Sequence, residues 1–123
     1  MTRPVLVDTN ILIEMLRYQD SVLEEMVAGF DARVNTIVYC ELVRGERNRA
    51  EYRKAEKFLQ QFKLIHLDPT ICSLGIELMR DYKLSNGLDF SDALIVATCL
   101  VIDLSLFTKN RKHFNFIPNL TVF

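Results

Sequence analysis

The sequence lacks several features that mark membrane proteins, multidomain chains and disulfide-rich proteins. Its 123 residues include 3 cysteines, 3 prolines, 4 glycines and no tryptophan. No apolar run is long enough to span a bilayer, and no linker, repeat or low-complexity segment divides the chain. We therefore expect one domain over residues 1–123, with no membrane association. The segment 1–4 leaves no room for a signal peptide before the first apolar run.

The cysteines are odd in number and show no metal-binding spacing. Cys40, Cys72 and Cys99 each stand among apolar neighbours. This pattern predicts buried free thiols in a reducing compartment, and so a cytoplasmic protein.

The charge is nearly balanced, with 15 basic and 16 acidic residues and a net charge of −1. Such a balance argues against a strongly cationic nucleic-acid binder, whose domain is usually far more basic. It does not exclude a nuclease, because the carboxylates of a catalytic site lower the net charge while local lysines and arginines contact the backbone. The positions of the charges therefore matter more than their sum.

Apolar periodicity predicts alternating strands and helices along the whole chain. Strands are expected at 5–7, 33–35, 64–67 and 104–107, with a possible edge strand at 121–123. Helices are expected at 10–18, 21–28, 36–44, over the charged segment 46–57, from Pro69 to about 82, and from 89 to 102. Thr36 is the expected cap of the third helix, and Gly87 is expected to end the fifth in a left-handed turn. This order predicts a mostly parallel sheet covered by helices on both faces.

Asp8 follows the first predicted strand directly. The strand Val5-Leu6-Val7 delivers this carboxylate to the carboxyl end of the sheet, where open α/β folds bind their ligands. A site for a cation or a polar substrate is one interpretation. The other is that Asp8 or Asn10 caps the following helix.

Glu41 is an acid on an otherwise apolar helix. A carboxylate flanked by apolar residues is costly to bury unless it is paired or coordinated. The sequence alone leaves a plainer alternative open, in which Glu41 points to solvent and pairs with Arg44.

Two further acids stand at the start of the last long helix. Asp89 has the position of an N-cap, and Asp92 falls in the first turn, where the helix dipole favours an anion. The rest of that helix is almost wholly apolar, so Asp92 lies where a buried helix enters the core. The loop that follows the next strand carries four potentially cationic groups in five residues, Lys109 to His113. No aromatic platform for stacking bases is apparent.

Four blocks of the sequence together resemble the PIN-domain family, specifically its small VapC-type toxin ribonucleases. They occur in the family's order and span nearly the whole chain. The blocks are Val7-Asp8-Thr9-Asn10-Ile11-Leu12, Glu41-Leu42-Val43-Arg44-Gly45, Asp92-Ala93-Leu94-Ile95-Val96-Ala97-Thr98, and Leu106-Phe107-Thr108-Lys109-Asn110-Arg111-Lys112-His113-Phe114.

The resemblance implies a three-layer α/β/α sandwich and an endoribonuclease that depends on Mg²⁺ or Mn²⁺. Asp8, Glu41 and Asp92 take the places of the family's metal-binding and catalytic acids. Oxygen ligands without histidine or thiolate suit these hard ions. Asn110 stands where the family often has a fourth acid, which puts a second metal ion in doubt.

The resemblance also implies residues around the acids, and protein partners. Polar residues expected to line the site are Thr9, Asn10, Asp89, Thr108 and Asn110. Cations expected to hold the RNA backbone are Arg44, Lys109, Arg111 and Lys112. The implied partners are RNA, an antitoxin protein that binds around the site, and a second copy of the chain.

Two other function classes remain as alternatives. A non-catalytic PIN-like module that binds RNA or protein is motivated by the missing fourth acid. A phosphoryl-accepting receiver or a haloacid-dehalogenase-type phosphatase also places an aspartate at a strand end. The residues after Asp8 argue against both, because receivers need paired acids there and the phosphatases need an acid where Asn10 stands.

Overall fold

The computed structural model describes residues 3–123. Met1 and Thr2 belong to the short segment expected before the first strand and lie outside the described residues. Four strands form one sheet in the order β3-β2-β1-β4, and every pairing is parallel. The strands are β1 Pro4–Val7, β2 Asp31–Asn35, β3 Lys63–Ile65 and β4 Ser105–Phe107. All four central strands of the sequence prediction are confirmed.

Six helices flank the sheet, as the α/β prediction required. They are α1 Thr9–Tyr18, α2 Ser21–Ala28, α3 Thr36–Arg44, α4 Arg49–Leu59, α5 Pro69–Asn86 and α6 Phe90–Ile102, and a 3₁₀ turn covers Arg111–His113. In the described part of the chain, no helix combines the length and the apolar character needed to cross a membrane.

The core forms around β1 and α6 because both consist almost entirely of apolar residues. Val5, Leu6 and Val7 are fully buried. Helix α6 buries Ile95 and Val96 completely, as expected from a sequence without charge after its first turn. Burial of this area is the main favourable term in folding. It also fixes the start of α6, and therefore Asp92, relative to the end of β1.

Local capping explains most helix boundaries and corrects two predictions. Asn35, rather than Thr36, caps α3, because its side chain accepts a hydrogen bond from the Val38 amide at 2.9 Å. The charged helix α4 begins at Arg49, three residues later than the predicted segment, because Asn48 caps it. Gly87 ends α5 with φ 69°, the left-handed conformation that the sequence predicted.

The prediction for the cysteines is wrong in part. Cys99 is buried in α6, and burial raises the pKa of its thiol. Cys40 and Cys72 are exposed, because their positions on α3 and α5 face away from the sheet despite their apolar neighbours in sequence.

The chain end runs parallel to β4, where the Leu106 amide donates to the Thr121 carbonyl at 2.8 Å and the Thr108 amide donates to the Phe123 carbonyl at 3.0 Å. Val122 forms a single parallel bridge to Leu106, and the Phe123 amide donates to the Leu106 carbonyl at 3.0 Å. This pairing extends the sheet beyond β4 by one bridged residue, Val122.

Candidate active site at the carboxyl edge of the sheet

Asp8 and Thr108 lie where the order of the sheet changes direction. Strands β2 and β3 lie on one side of β1, and β4 lies on the other. In parallel sheets such a switch point opens a crevice at the carboxyl ends of the two strands. Asp8 follows β1 and Thr108 follows β4, and the Asp8 amide donates to the Phe107 carbonyl at 2.9 Å.

The Asp8 carboxylate is buried and held by two donors. The Thr108 hydroxyl donates to Oδ2 at 2.7 Å, and the Thr9 amide donates to Oδ1 at 2.8 Å. Burial raises the pKa of Asp8 above its ordinary value, and these two hydrogen bonds oppose the rise. The capping interpretation of Asp8 is therefore confirmed, because its side chain caps α1, and the same carboxylate stands at the carboxyl end of β1.

Glu41 is joined to Asp8 through a single residue. The Thr9 hydroxyl donates to Glu41 Oε1 at 2.8 Å, while the Thr9 amide holds Asp8. Glu41 thus turns toward the end of β1, which favours the site interpretation over an outward pair with Arg44. The sequence separation of 32 residues between Thr9 and Glu41 is bridged by the packing of α1 against α3.

Asp92 carries the most strongly perturbed carboxylate of this edge. The pKa of Asp92 is raised to about 6, mainly by burial. The charges of Asp8, Glu41 and Asp89 contribute to the rise, and the charge of His113 opposes it. His113 Nδ1 lies 3.5 Å from Asp92 Oδ2. The four acids therefore share one region of negative potential, and protonation or a cation would relieve it.

The acids share this edge without forming a closed cage. Within residues 3–123, no group of three or more His, Cys, Asp or Glu side chains is close enough together to hold a metal ion as arranged here. Their shared electrostatic field, and the contact of Thr9 with both Asp8 and Glu41, show that they are neighbours.

The polar residues expected around the site lie at the same edge, and several act through their backbone. Asn10 Oδ1 accepts a hydrogen bond from the Lys109 amide at 3.3 Å. The Asn110 amide donates to Thr108 Oγ1 at 3.0 Å, while the Asn110 side chain is exposed. Asn110 thus supports the hydroxyl that holds Asp8.

Asp89 does not cap α6 in the way that the sequence predicted. It occupies the N-cap position, but among the described contacts its side chain makes no cap hydrogen bond. Its Oδ2 instead accepts from the Ser91 hydroxyl at 3.2 Å. Asp89 also lines a cavity between α3 and α6, together with Glu41.

The expected cations surround the acids at the surface. Arg44 lines the same cavity as Glu41 and Asp89, and Lys109 Nζ lies 3.6 Å from Glu14 Oε1. Arg111 and Lys112 are exposed on the 3₁₀ turn. Positively charged side chains thus lie at the margin of the acidic centre.

Sequence reasoning did not assign roles to His113 and Phe90. His113 was visible only as one cation of a basic loop, and its contact with Asp92 depends on the 3₁₀ turn. Phe90 stands between two acidic residues at the start of α6, and its side chain is 61 % exposed. The sequence signal for Phe90 was its position as an aromatic residue next to clustered acids.

Comparisons with known proteins agree with this architecture. The sequence profile described as the PIN domain matches residues 5–117. The chain is 32 % identical over 120 residues to ribonuclease VapC19 of Mycobacterium tuberculosis (strain ATCC 25618 / H37Rv), covering 94 % of this chain and 95 % of that protein. It is 30 % identical over 111 residues to ribonuclease VapC1 of Methanocaldococcus jannaschii, covering 89 % and 78 % of the two chains.

Solved structures give the same result for the fold. A toxin–antitoxin complex from Klebsiella pneumoniae contains a chain that matches with a TM-score of 0.80 and 27 % identity, over 95 % of both chains. The VapBC2 structure from Rickettsia felis, bound to a promoter DNA fragment, matches with a TM-score of 0.81 and 24 % identity over 97 % and 96 %. With the acids from three of its four blocks gathered at the carboxyl edge of a parallel sheet, this chain belongs to the PIN domain family, among the VapC ribonucleases.

Proposed function

We propose that this protein is a Mg²⁺- or Mn²⁺-dependent endoribonuclease and the toxin of a toxin–antitoxin pair. The observation that carries the proposal is the position of Asp8, Glu41 and Asp92 at one edge of the sheet, where burial of Asp92, together with the charges of the other two acids, raises its pKa to about 6. Sites that maintain such strain on their carboxylates are candidates for function rather than stability. Relatives named as ribonucleases support the RNA substrate.

The donors at this edge fit a hard divalent cation. Asp8, Glu41 and Asp92 offer only carboxylate oxygens, the ligands that Mg²⁺ and Mn²⁺ prefer. A bound cation would offset the mutual repulsion that raises the pKa of Asp92. The metal proposal rests on this chemistry and on the common field of the acids. When bound, such an ion supplies an activated water and neutralises charge on a phosphate.

The residues around the acids orient the carboxylates and hold the RNA. The Thr108 and Thr9 hydroxyls orient the carboxylates of Asp8 and Glu41. The exposed cations Arg44, Lys109, Arg111 and Lys112 hold the RNA backbone, which positions the substrate without reading its sequence. Because these cations lie at the margin of an acidic centre, they attract a phosphate chain that the acids alone would repel.

A solved structure that resembles the chain supports an antitoxin partner. A chain of 27 % identity comes from a structure titled as a toxin–antitoxin complex. We infer that an antitoxin binds this protein and restrains it in the cytoplasm, and that the chain forms a homodimer. Light scattering of the purified chain, alone and with the product of an adjacent small gene, tests both partners.

The decisive assay is metal-dependent cleavage. Purified protein is incubated with structured RNA in EDTA, Mg²⁺ or Mn²⁺, beside Asp8→Asn and Asp92→Asn. Cleavage is expected only with metal and only in the wild type. A parallel thermal scan should show that Mn²⁺ raises the unfolding midpoint of the wild type and leaves that of Asp92→Asn unchanged. Cleavage that survives both chelation and substitution would overturn the mechanism.

One observation favours a second candidate, a non-catalytic RNA-binding module. Within the described residues the acids form no ready-made cage of three ligands, and Asn110 stands at the position of the family's frequent fourth acid. This candidate predicts RNA binding without cleavage under any metal. It also predicts that Asp92→Asn strengthens RNA binding, because a negative charge is removed.

A further inference from the structure

A small cavity lies directly beside the acids, between α3 and the first turn of α6. Its volume is about 250 Å³. Glu41 and Arg44 line it from α3, and Asp89 and Phe90 line it from α6. This volume falls below the range of roughly 300–1,000 Å³ that is usual for drug-sized ligands. The cavity suits a single planar group rather than a whole cofactor.

Phe90 forms an exposed aromatic wall of this cavity. Of the eight phenylalanines in the sequence, all within the described range, only Phe90 is classed as exposed, with 61 % of its surface accessible. The other seven pack in or against the core. Phe90 lines the cavity together with Glu41 and Asp89, which places it beside two of the four acids.

The polar groups of the cavity complement the edge of a base. Asp89 lines the cavity, and its carboxylate accepts a hydrogen bond from the Ser91 hydroxyl instead of capping α6. Arg44 lies on the opposite wall, where it can contact the phosphate attached to a bound nucleotide. Proteins that read single-stranded RNA stack an unpaired base on an aromatic ring and bond its Watson–Crick edge.

We propose that this cavity binds the nucleobase adjacent to the cleaved phosphodiester, stacked on Phe90 and bonded to Asp89. A carboxylate only accepts hydrogen bonds, so it favours a base with donors on its Watson–Crick edge. Guanine presents two neighbouring donors, N1–H and the 2-amino group, and is the preferred occupant. The inference rests on the proposed ribonuclease function and gives that site a base preference.

The test measures binding apart from cleavage. Fluorescence anisotropy in EDTA measures the affinity for oligouridine RNAs that carry a single guanine, adenine or cytosine. The proteins compared are the wild type, Phe90→Leu, Phe90→Tyr and Asp89→Asn. Ile76→Ala removes an exposed apolar side chain from α5, outside the cavity, and is the control. Thermal scans verify that each variant is folded.

The wild type should bind the guanine oligonucleotide more tightly than the others. Phe90→Leu keeps apolar bulk without a ring and should weaken that binding roughly tenfold, the effect of losing one stacked base. Phe90→Tyr and Ile76→Ala should bind as the wild type does. Asp89→Asn should abolish the guanine preference.

The outcomes separate this inference from the proposed function. Metal-dependent cleavage by the wild type, together with equal affinities for the three oligonucleotides in wild type and Phe90→Leu, overturns the base cavity and leaves the ribonuclease intact. A guanine preference that depends on Phe90, in a protein that cleaves under no metal, supports the cavity and overturns the enzyme.

Discussion

Replacing Asp92 by asparagine should make the metal-free protein more stable while abolishing its activity. Asp92 is half-buried, and the charges of Asp8, Glu41 and Asp89 act on it. A rise in pKa from 3.8 to about 6 corresponds to roughly 3 kcal/mol. Solvent screening at this open edge reduces the cost to about 1–2 kcal/mol.

The favourable interaction of the Asp92 charge with the helix dipole must be subtracted from the stability gained by Asp92→Asn. Asp92 lies in the first turn of α6, where the helix dipole favours an anion by about 0.3–1 kcal/mol. The net gain for Asp92→Asn at pH 7.5 is then about 1 kcal/mol, which corresponds to a rise of roughly 3–6 °C in the unfolding midpoint for a domain of this size.

The pH dependence gives the sharper check. The folded protein holds the Asp92 proton more tightly than the unfolded chain does, because its folded pKa is raised. The stabilisation is therefore complete below pH 3.8 and is lost as the pH rises through about 6. The advantage of Asp92→Asn should be near its full size at pH 7.5 and small at pH 4.5.

Urea unfolding in EDTA at the two pH values measures this difference directly. Asp81→Asn replaces an exposed aspartate on α5 that pairs with exposed Arg80, and it should change stability little at either pH. An Asp92→Asn protein that is less stable than the wild type at pH 7.5, or whose advantage grows on acidification, would refute the reasoning.

Three further substitutions test individual contacts. Thr108→Val removes the hydroxyl that donates to buried Asp8 and should lower metal-dependent cleavage about 10–100-fold. Thr108→Ser should restore cleavage, and an unchanged kcat/KM in Thr108→Val would contradict the orienting role. Asn35→Ala removes the cap of α3 and the hydrogen bond to Thr98, and urea titration should show a loss of about 2 kcal/mol. Gly87→Ala forces a side chain into a left-handed turn with φ 69° and should cost about 1–2 kcal/mol in thermal unfolding, whereas Gly87→Asn should cost less.

Short-range patterns predicted the elements well because they depend on neighbouring residues. The apolar run before Asp8 forms β1, and Gly87 ends α5 as expected. Asn35 ends β2, as predicted, and also caps α3, whereas the sequence predicts Thr36 as the cap because both residue types cap helices well.

The environment of single side chains was harder to predict. Cys40 and Cys72 lie among apolar neighbours in sequence yet face outward on their helices. Asp89 has the sequence position of a cap, but its carboxylate accepts a hydrogen bond from the Ser91 hydroxyl instead. No base-stacking aromatic residue was expected, and the exposure of Phe90 became visible only from the packing of α6.

The sequence by itself determined the order of strands and helices, and which acids stand at their ends, because periodicity and capping act over a few residues. The tertiary structure decided which groups meet. It brings the Thr108 hydroxyl to Asp8 across 100 residues and the Thr9 hydroxyl to Glu41 across 32. It also buries Asp92 among other acids, and burial and neighbouring charge depend on the whole packed chain.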